Sequence, residues 1–283
     1  MDALVERLHA ICDAQPFRTS WYLKDLATGR EADRDGDVPV PSASVRKTSI
    51  MMAALRAVHE GRLRLDEPCT IEARLQKDVM SGTYRYMTPG CVIPLRDAIV
   101  NMIITSDNVC TQIVLERLDT EALNAWCRGI GMAHTRHGPK IPPLGLAYDH
   151  PVEQTAFTTP RDQGLLLDLI LRGAQGDAAA AAERLGCSEA LCRLGLDILT
   201  WQQHRTMIPA LLPYATKVAN KTGRGRRGRM DAGIVFRGER PAYLLAAFTD
   251  FVPETMPDGL PGHAAAFATI ARLSRACWEA IGA

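Results

Sequence analysis

Apolar positions recur at helical spacing through most of the chain and at strand spacing only near its two ends. Leu4, Leu8 and Ile11 fall on one side of an amphipathic N-terminal helix. A strand is predicted over 19–27, ending at Thr28-Gly29, and the polar run Asp33-Arg34-Asp35-Gly36-Asp37 reads as a turn. From 44 to 59 the period is helical, with Ile50, Met51, Ala54, Leu55 and Val58 on the apolar side and Gly61 as the stop. Two apolar helices are predicted at 94–104 and 107–118, separated by Thr105-Ser106-Asp107. Asp119 or Thr120 can cap another that runs to about Cys127. A loop rich in Pro and Gly covers 138–159, and Thr159-Pro160-Arg161-Asp162 starts a helix with Pro in its first turn. Helices continue to about Leu199, interrupted by small residues over 173–182. Three strands are then predicted at 214–221, 233–237 and 243–249, and a helix over 262–281 closes the chain.

This distribution predicts an α+β fold, with one antiparallel sheet built from both chain ends, flanked by helices, and an inserted all-α lobe. The expected division is 1–43 with 214–283 as the α/β lobe and 44–213 as the all-α lobe.

With 283 residues, 47% of them hydrophobic, the chain can bury a substantial core. A formal net charge of +1 gives no global attraction for nucleic acid or an anionic membrane. No apolar stretch reaches the ~20 residues of a membrane span. The start, Met1-Asp2-Ala3-Leu4-Val5-Glu6-Arg7, lacks a basic segment followed by an apolar one, so a cytoplasmic protein is expected. A periplasmic or secreted location is the alternative if a leader has been removed. The eight cysteines, Cys12, Cys69, Cys91, Cys110, Cys127, Cys187, Cys192 and Cys277, are irregularly spaced and are expected to be reduced core thiols. His134, His137, His150 and His204 are scattered, so neither a metal nor another cofactor is expected.

Three short words carry the chemistry: Ser44-Val45-Arg46-Lys47, Ser106-Asp107-Asn108 and Lys221-Thr222-Gly223. S-x-x-K alone arises roughly once by chance in a chain of this length. S-D-N and K-T-G are far rarer, and all three in this order form a signature. Ser44 and Lys47 are three apart on one helix face, so hydroxyl and amine can meet. A desolvated lysine can take the serine proton, and a helix N-terminus offers free N–H groups to an oxyanion. Taken alone, the pair reads better as an N-cap and a solvated lysine, and the other two words reverse that reading. Ser106 can relay a proton and Asn108 can bind an amide, while Ser and Asp are also ordinary caps. Lys221 and Thr222 can bind a carboxylate. Gly223 permits close backbone approach, and the Arg224 N–H can donate to the oxyanion.

On these motifs the chain resembles the class A β-lactamase-like serine hydrolases, within the wider group of β-lactamases and penicillin-binding proteins. Thr158-Thr159-Pro160-Arg161-Asp162 and Asp231-Ala232-Gly233-Ile234-Val235 extend the resemblance over nearly the whole chain. It implies an active site between the two lobes. It also implies Ser44 as acylated nucleophile, Lys47 as its general base, Ser106 as proton shuttle, Asn108 as amide ligand, and Lys221 with Thr222 as carboxylate ligands.

Two departures narrow the expectation. Class A β-lactamases carry a loop glutamate, in an E-x-x-L-N pattern, that activates the deacylating water. The segment 141–154 has no such pattern, and neither Asp149, His150 nor Glu153 falls at the corresponding distance from Pro160. The sequence therefore predicts a serine hydrolase that cleaves an amide, lactam or ester of a small carboxylate-bearing molecule and lacks the usual deacylation group. A true β-lactamase and a penicillin-binding or non-catalytic module are the alternatives. The second departure is Arg224-Gly225-Arg226-Arg227-Gly228-Arg229, with four arginines beside the carboxylate site. It reads as a solvated turn or as a mark of a strongly anionic substrate.

Overall fold

The computed structural model describes residues 1–141 and 145–281. Helix α1 (Asp2–Asp13) precedes the paired strands β1 (Arg18–Asp25) and β2 (Glu31–Arg34). The short strand β3 (Val40–Pro41) leads into α2 (Lys47–His59). Then come β4 (Pro68–Thr70), α3 (Ala73–Gln76), β5 (Val92–Pro94), α4 (Leu95–Ile104), α5 (Asn108–Leu115) and α6 (Thr120–Gly129). Beyond the long loop lie β6 (Phe157–Thr158), α7 (Pro160–Ala174), a π-helical turn at Ala179–Leu185, and α8 (Glu189–Thr200). The chain ends with β7 (Val218–Arg224), β8 (Arg229–Arg237), β9 (Arg240–Asp250) and α9 (Gly262–Ala280).

Five strands form an antiparallel sheet in the order β2-β1-β9-β8-β7. Both chain ends supply it, as the pattern predicted. Strand alternation sorts its side chains onto two buried faces. Trp21, Leu23, Val235, Leu245 and Ala247 meet Leu4 and Leu8 of α1 and Ile270 and Leu273 of α9. Tyr22, Met230, Ala232, Ile234, Leu244, Ala246 and Phe248 face the helical half instead. Helix α2 is buried along nearly its whole length, from Lys47 to Leu55, so it is the axis of that half rather than an amphipathic surface helix.

Several boundaries differ from expectation. Helix α2 begins at Lys47, and Ser44 lies in the preceding turn, held by i→i+3 bonds such as Lys47 N to Ser44 O at 3.2 Å. Strand β7 continues through Arg224, and β8 begins at Arg229, because Gly225 N bonds Gly228 O and closes a tight hairpin. The Asp33–Arg34 pair belongs to an edge strand rather than a turn; β2 is polar because half of its residues face solvent.

Candidate active site

Ser44 is placed by the turn that joins β3 to α2. Ala43 has φ +42°, in the left-handed region, so the chain reverses sharply just before the serine. Ser44 itself is half-buried. It lines a cleft of about 550 Å³ with Gly82, Tyr86, Ser106, Asn108, His204 and Arg224. The cleft lies between the K-T-G edge of the sheet and the helical half, and residues of all three motifs line it.

Ser106 occupies the junction of α4 and α5 with φ +56°. Such a conformation is costly for a serine, and it aims the hydroxyl into the cleft. Asp107 holds the junction: Oδ1 accepts from Cys110 N at 2.9 Å as the N-cap of α5, and Oδ2 accepts from Tyr84 N at 2.8 Å. Asn108 N donates to Ser81 O at 3.0 Å, which ties the 81–84 loop to the same cap. At Gly82, with φ +98°, a Cβ would lie 2.1 Å from Asp107 Oδ2, so only glycine lets this loop cross the cap. The middle residue of S-D-N is thus structural, and its neighbours line the cleft.

Lys47 Nζ donates to Ser106 O at 2.7 Å, approaches Ser106 Oγ at 3.2 Å, and donates to Asn108 Oδ1 at 2.8 Å. The expected direct bond between Lys47 and the Ser44 hydroxyl is not made; in the neutral amine, with two hydrogens for these three oxygens, the lone pair is left to accept a proton. Lys221 Nζ reaches the same Ser106 Oγ at 3.1 Å and donates to Thr222 O at 2.8 Å. One hydroxyl therefore joins two buried amines.

Burial dominates their ionisation. Desolvation, with Lys221 and Arg46 nearby, holds the Lys47 amine well below the usual lysine range. Lys221 is pulled down to about 7, first by desolvation and further by Arg224, against the opposing pull of Asp231. Lys221 is thereby poised to gain or lose a proton near neutrality, and burial favours the neutral amine at Lys47.

The backbone also presents a free N–H to the cleft. Gly225 and Gly228 form a hydrogen-bonded pair, so ladder alternation makes Arg224 and Arg229 a non-bonded pair. The Arg224 N–H therefore points away from β8, to the free edge that faces Ser44. Asn220 O points the same way and accepts from Gln202 Nε2 at 3.2 Å, consistent with this register. A Cβ at Gly223 would lie 3.3 Å from Ser44 N and 3.2 Å from Val45 Cγ1. Glycine at this position is what brings the strand edge against the serine turn.

A layer that motif reading did not reach supports these groups. Asp231 is fully buried and accepts from Asn220 Nδ2 at 2.9 Å and Ile208 N at 3.0 Å. Desolvation raises its carboxyl to about 6. Gln202 Nε2 donates to Ile103 O at 3.1 Å as well as to Asn220 O, joining the helical half to the strand edge behind the cleft. His204 N donates to Gln202 Oε1 at 3.0 Å, and His204 Nε2 lies 3.3 Å from Thr105 O, which presents the imidazole to the cleft. Desolvation lowers the pKa of His204. Arg46 is buried beside the motif and donates to Gly138 O at 3.3 Å and Lys140 O at 3.1 Å, under the start of the long loop. Only tertiary burial reveals these roles.

The arginine run divides. Arg227 is buried and paired with Asp250, at 2.6 and 2.8 Å, and its Nη1 donates to His150 O at 2.5 Å. It holds the hairpin and is not available to a ligand, so the expected four-arginine patch is three. Arg224 lines the cleft that holds Ser44, whereas Arg226 and Arg229 line a neighbouring cavity. Within the 141–154 loop, Asp149 and Glu153 are exposed, and His150 is buried with Nδ1 at 2.9 Å from Pro151 O. None of the three lines the cleft. Residues 142–144, where the search for a loop glutamate also falls, lie outside the described residues.

A sheet of this order and a serine between two buried lysines define a serine hydrolase of the β-lactamase type. Residues 3–281 match the model of the Beta-lactamase enzyme family, and the chain belongs to that family. A β-lactamase of Streptomyces fradiae is 28% identical over 262 residues, covering 90% of this chain and 81% of the relative. Among solved structures, PBP-A superposes with a TM-score of 0.81 at 26% identity, covering 99% of this chain and 96% of PBP-A. A class A β-lactamase reconstructed for the last common ancestor of Gram-negative bacteria superposes with a TM-score of 0.81 at 25% identity, covering 98% and 99%.

Proposed function

We propose that the protein cleaves an amide, lactam or ester bond of a small carboxylate-bearing molecule through an acyl-enzyme on Ser44. The observation that carries this reading is the Ser106 hydroxyl held between Lys47 and Lys221, 3.2 and 3.1 Å from their amines, in the cleft that Ser44 lines. Neutral Lys47 accepts the Ser44 proton as Oγ attacks the carbonyl carbon. The N–H groups of Ser44 and Arg224 receive the oxyanion. The bond to nitrogen or oxygen breaks as Ser106 delivers a proton to the leaving group and regains one from the lysines. Charged Lys221 and Thr222 hold the substrate carboxylate, and Asn108 faces its amide. Water then hydrolyses the ester on Ser44.

Deacylation is the slow half in this proposal. The segment 141–154 contains a single glutamate, Glu153, which is exposed on the loop surface. A penicillin-derived acyl-enzyme should therefore persist. Among the structural neighbours, a variant of PBP-A is known as an acyl-enzyme complex with penicillin G. Efficient β-lactamase turnover is the second reading, favoured by the 28% identical β-lactamase of Streptomyces fradiae.

Intact mass after incubation with benzylpenicillin and with a fluorophosphonate separates these. A long-lived adduct on Ser44 is expected from both. Rapid nitrocefin turnover abolished in Ser44→Ala would establish the second reading. No adduct with either reagent would refute the acyl-enzyme.

A further inference from the structure

We propose that a second anion-binding subsite, built from Arg226 and Arg229 and reached past Arg224, takes a second carboxylate of the substrate. The subsite deepens the serine hydrolase reading, on which its place in the reaction rests.

The hairpin between β7 and β8 carries arginines at 224, 226, 227 and 229. Arg227 is neutralised by Asp250. The other three make no ion pair among the described residues, so the hairpin carries three guanidinium groups without a carboxylate partner. Arg224 and Arg229 are cross-strand partners, and both guanidinium groups stack on one ring, 5.4 and 5.6 Å from the centroid of Phe267. Like charges directly opposite on neighbouring strands repel. An anion seated against them relieves that repulsion, and nothing in the described chain does so.

The side chains are also held for binding. Arg229 Nη1 donates to Gly225 O at 2.7 Å and Gly228 O at 2.9 Å, which fixes the guanidinium, while its Nε is buried without a partner. Arg226, Arg229 and His263 line a cavity of about 460 Å³ with Tyr148, Val252, Pro253 and Glu254. Glu254 is the one carboxylate among these lining residues, against two guanidinium groups. Arg224 belongs to the catalytic cleft and is the ladder partner of Arg229 in this cavity, so the two spaces meet at one stacked pair. Lys221 and Thr222 would hold the first carboxylate beside Ser44, and the second would lie beyond Arg224.

The test compares acylation of Ser44 by benzylpenicillin and by carbenicillin, which shares the scaffold but carries one more carboxylate. At low ionic strength carbenicillin should react about tenfold faster, the effect of one good charge-assisted contact. The ratio of the two rates should fall toward one in Arg226→Gln, in Arg229→Gln and in high salt. Arg226 is exposed, so its variant tests the site without disturbing the hairpin. A ratio of one in the unaltered protein overturns the subsite. If neither compound acylates Ser44, the fluorophosphonate adduct decides the hydrolase reading separately, and the subsite is judged by calorimetric binding of citrate. Citrate should bind the parent and Ser44→Ala alike and bind Arg226→Gln/Arg229→Gln about tenfold more weakly. No binding, or equal binding in the double variant, overturns it.

Discussion

Lys47 and Lys221 approach the same oxygen: their amines lie 3.2 and 3.1 Å from Ser106 Oγ. Neither amine has a carboxylate within ion-pair distance among the described residues, and both are fully buried. A hydroxyl between two such groups can accept from one while donating to the other, so a proton crosses the cleft without either lysine moving.

Ser106→Ala should cut the rate of Ser44 acylation by about 10²- to 10⁴-fold, the range for a positioned acid–base group. Its backbone conformation, φ +56°, gives a way to separate chemistry from strain. Ser106→Gly removes the same hydroxyl but accepts this φ readily, so it should be about 1 kcal/mol more stable than Ser106→Ala and equally slow. Urea denaturation of the pair, alongside their acylation rates, checks this. A glycine variant that kept the parent rate would remove Ser106 from the relay.

The ionisation of Lys221 should show in a pH profile. With its pKa near 7, the free enzyme loses the charged carboxylate ligand as pH rises through that value. For a carboxylate-bearing ester, kcat/KM should therefore fall above about pH 7. The corresponding neutral methyl ester should lack this alkaline limb, and so should the Lys221→Arg variant with the carboxylate ester. Stability should move the other way. Between about 7 and 10.5 the unfolded chain binds a proton that the native lysine has released, so this group's contribution rises with pH. Thermal melts of the parent and Lys221→Met across that window test the sign.

The sequence made the motif residues and the sheet's origin legible because both depend on local spacing. Asp107 could be recognised as a cap for the same reason, and Thr159-Pro160 as a helix start; the Thr159 hydroxyl indeed accepts from Asp162 N at 3.1 Å. Ser44 was misplaced by one turn because the apolar helical period does not register the left-handed Ala43 before it. Strand β8 was under-read because Arg229 and Asp231 interrupt its apolar alternation, and only pairing with Arg224 and Thr222 makes those positions strand. His204, Arg46 and Gln202 were invisible for a different reason. Their roles come from partners such as Thr105, Gly138 and Ile103, about 90 to 100 residues away in the chain.

Gly223→Ala should impair acylation with little effect on stability. The added methyl would sit 3.3 Å from Ser44 N and 3.2 Å from Val45 Cγ1, close enough to force the strand edge and serine turn apart slightly. A donor displaced from the oxyanion position costs on the order of 10²-fold in rate. The loss should fall on kcat rather than KM, since the oxyanion forms only after attack. Steady-state kinetics on an ester substrate checks the split. A change in KM alone would mean that Gly223 only shapes substrate binding.

The buried pair behind the hairpin gives the largest expected stability change. Arg227 and Asp250 are 4% and 6% exposed at their side chains, and two guanidinium nitrogens meet the two carboxylate oxygens. Arg227 also lies 4.1 Å from the ring centroid of Phe251. Arg227→Met strands the Asp250 carboxylate in a dry site, so a loss of about 3–5 kcal/mol is expected. In Arg227→Met/Asp250→Leu no charge is left unpaired, and most of that loss should be recovered, because burying an ion pair costs nearly what its attraction returns. Urea midpoints with unchanged m-values decide it. If the double variant proves as unstable as the single one, the His150 O bond and the Phe251 stacking, rather than the ion pair, hold the hairpin. Citrate binding to the double variant should then weaken as well, because Arg226 and Arg229 are carried on that hairpin.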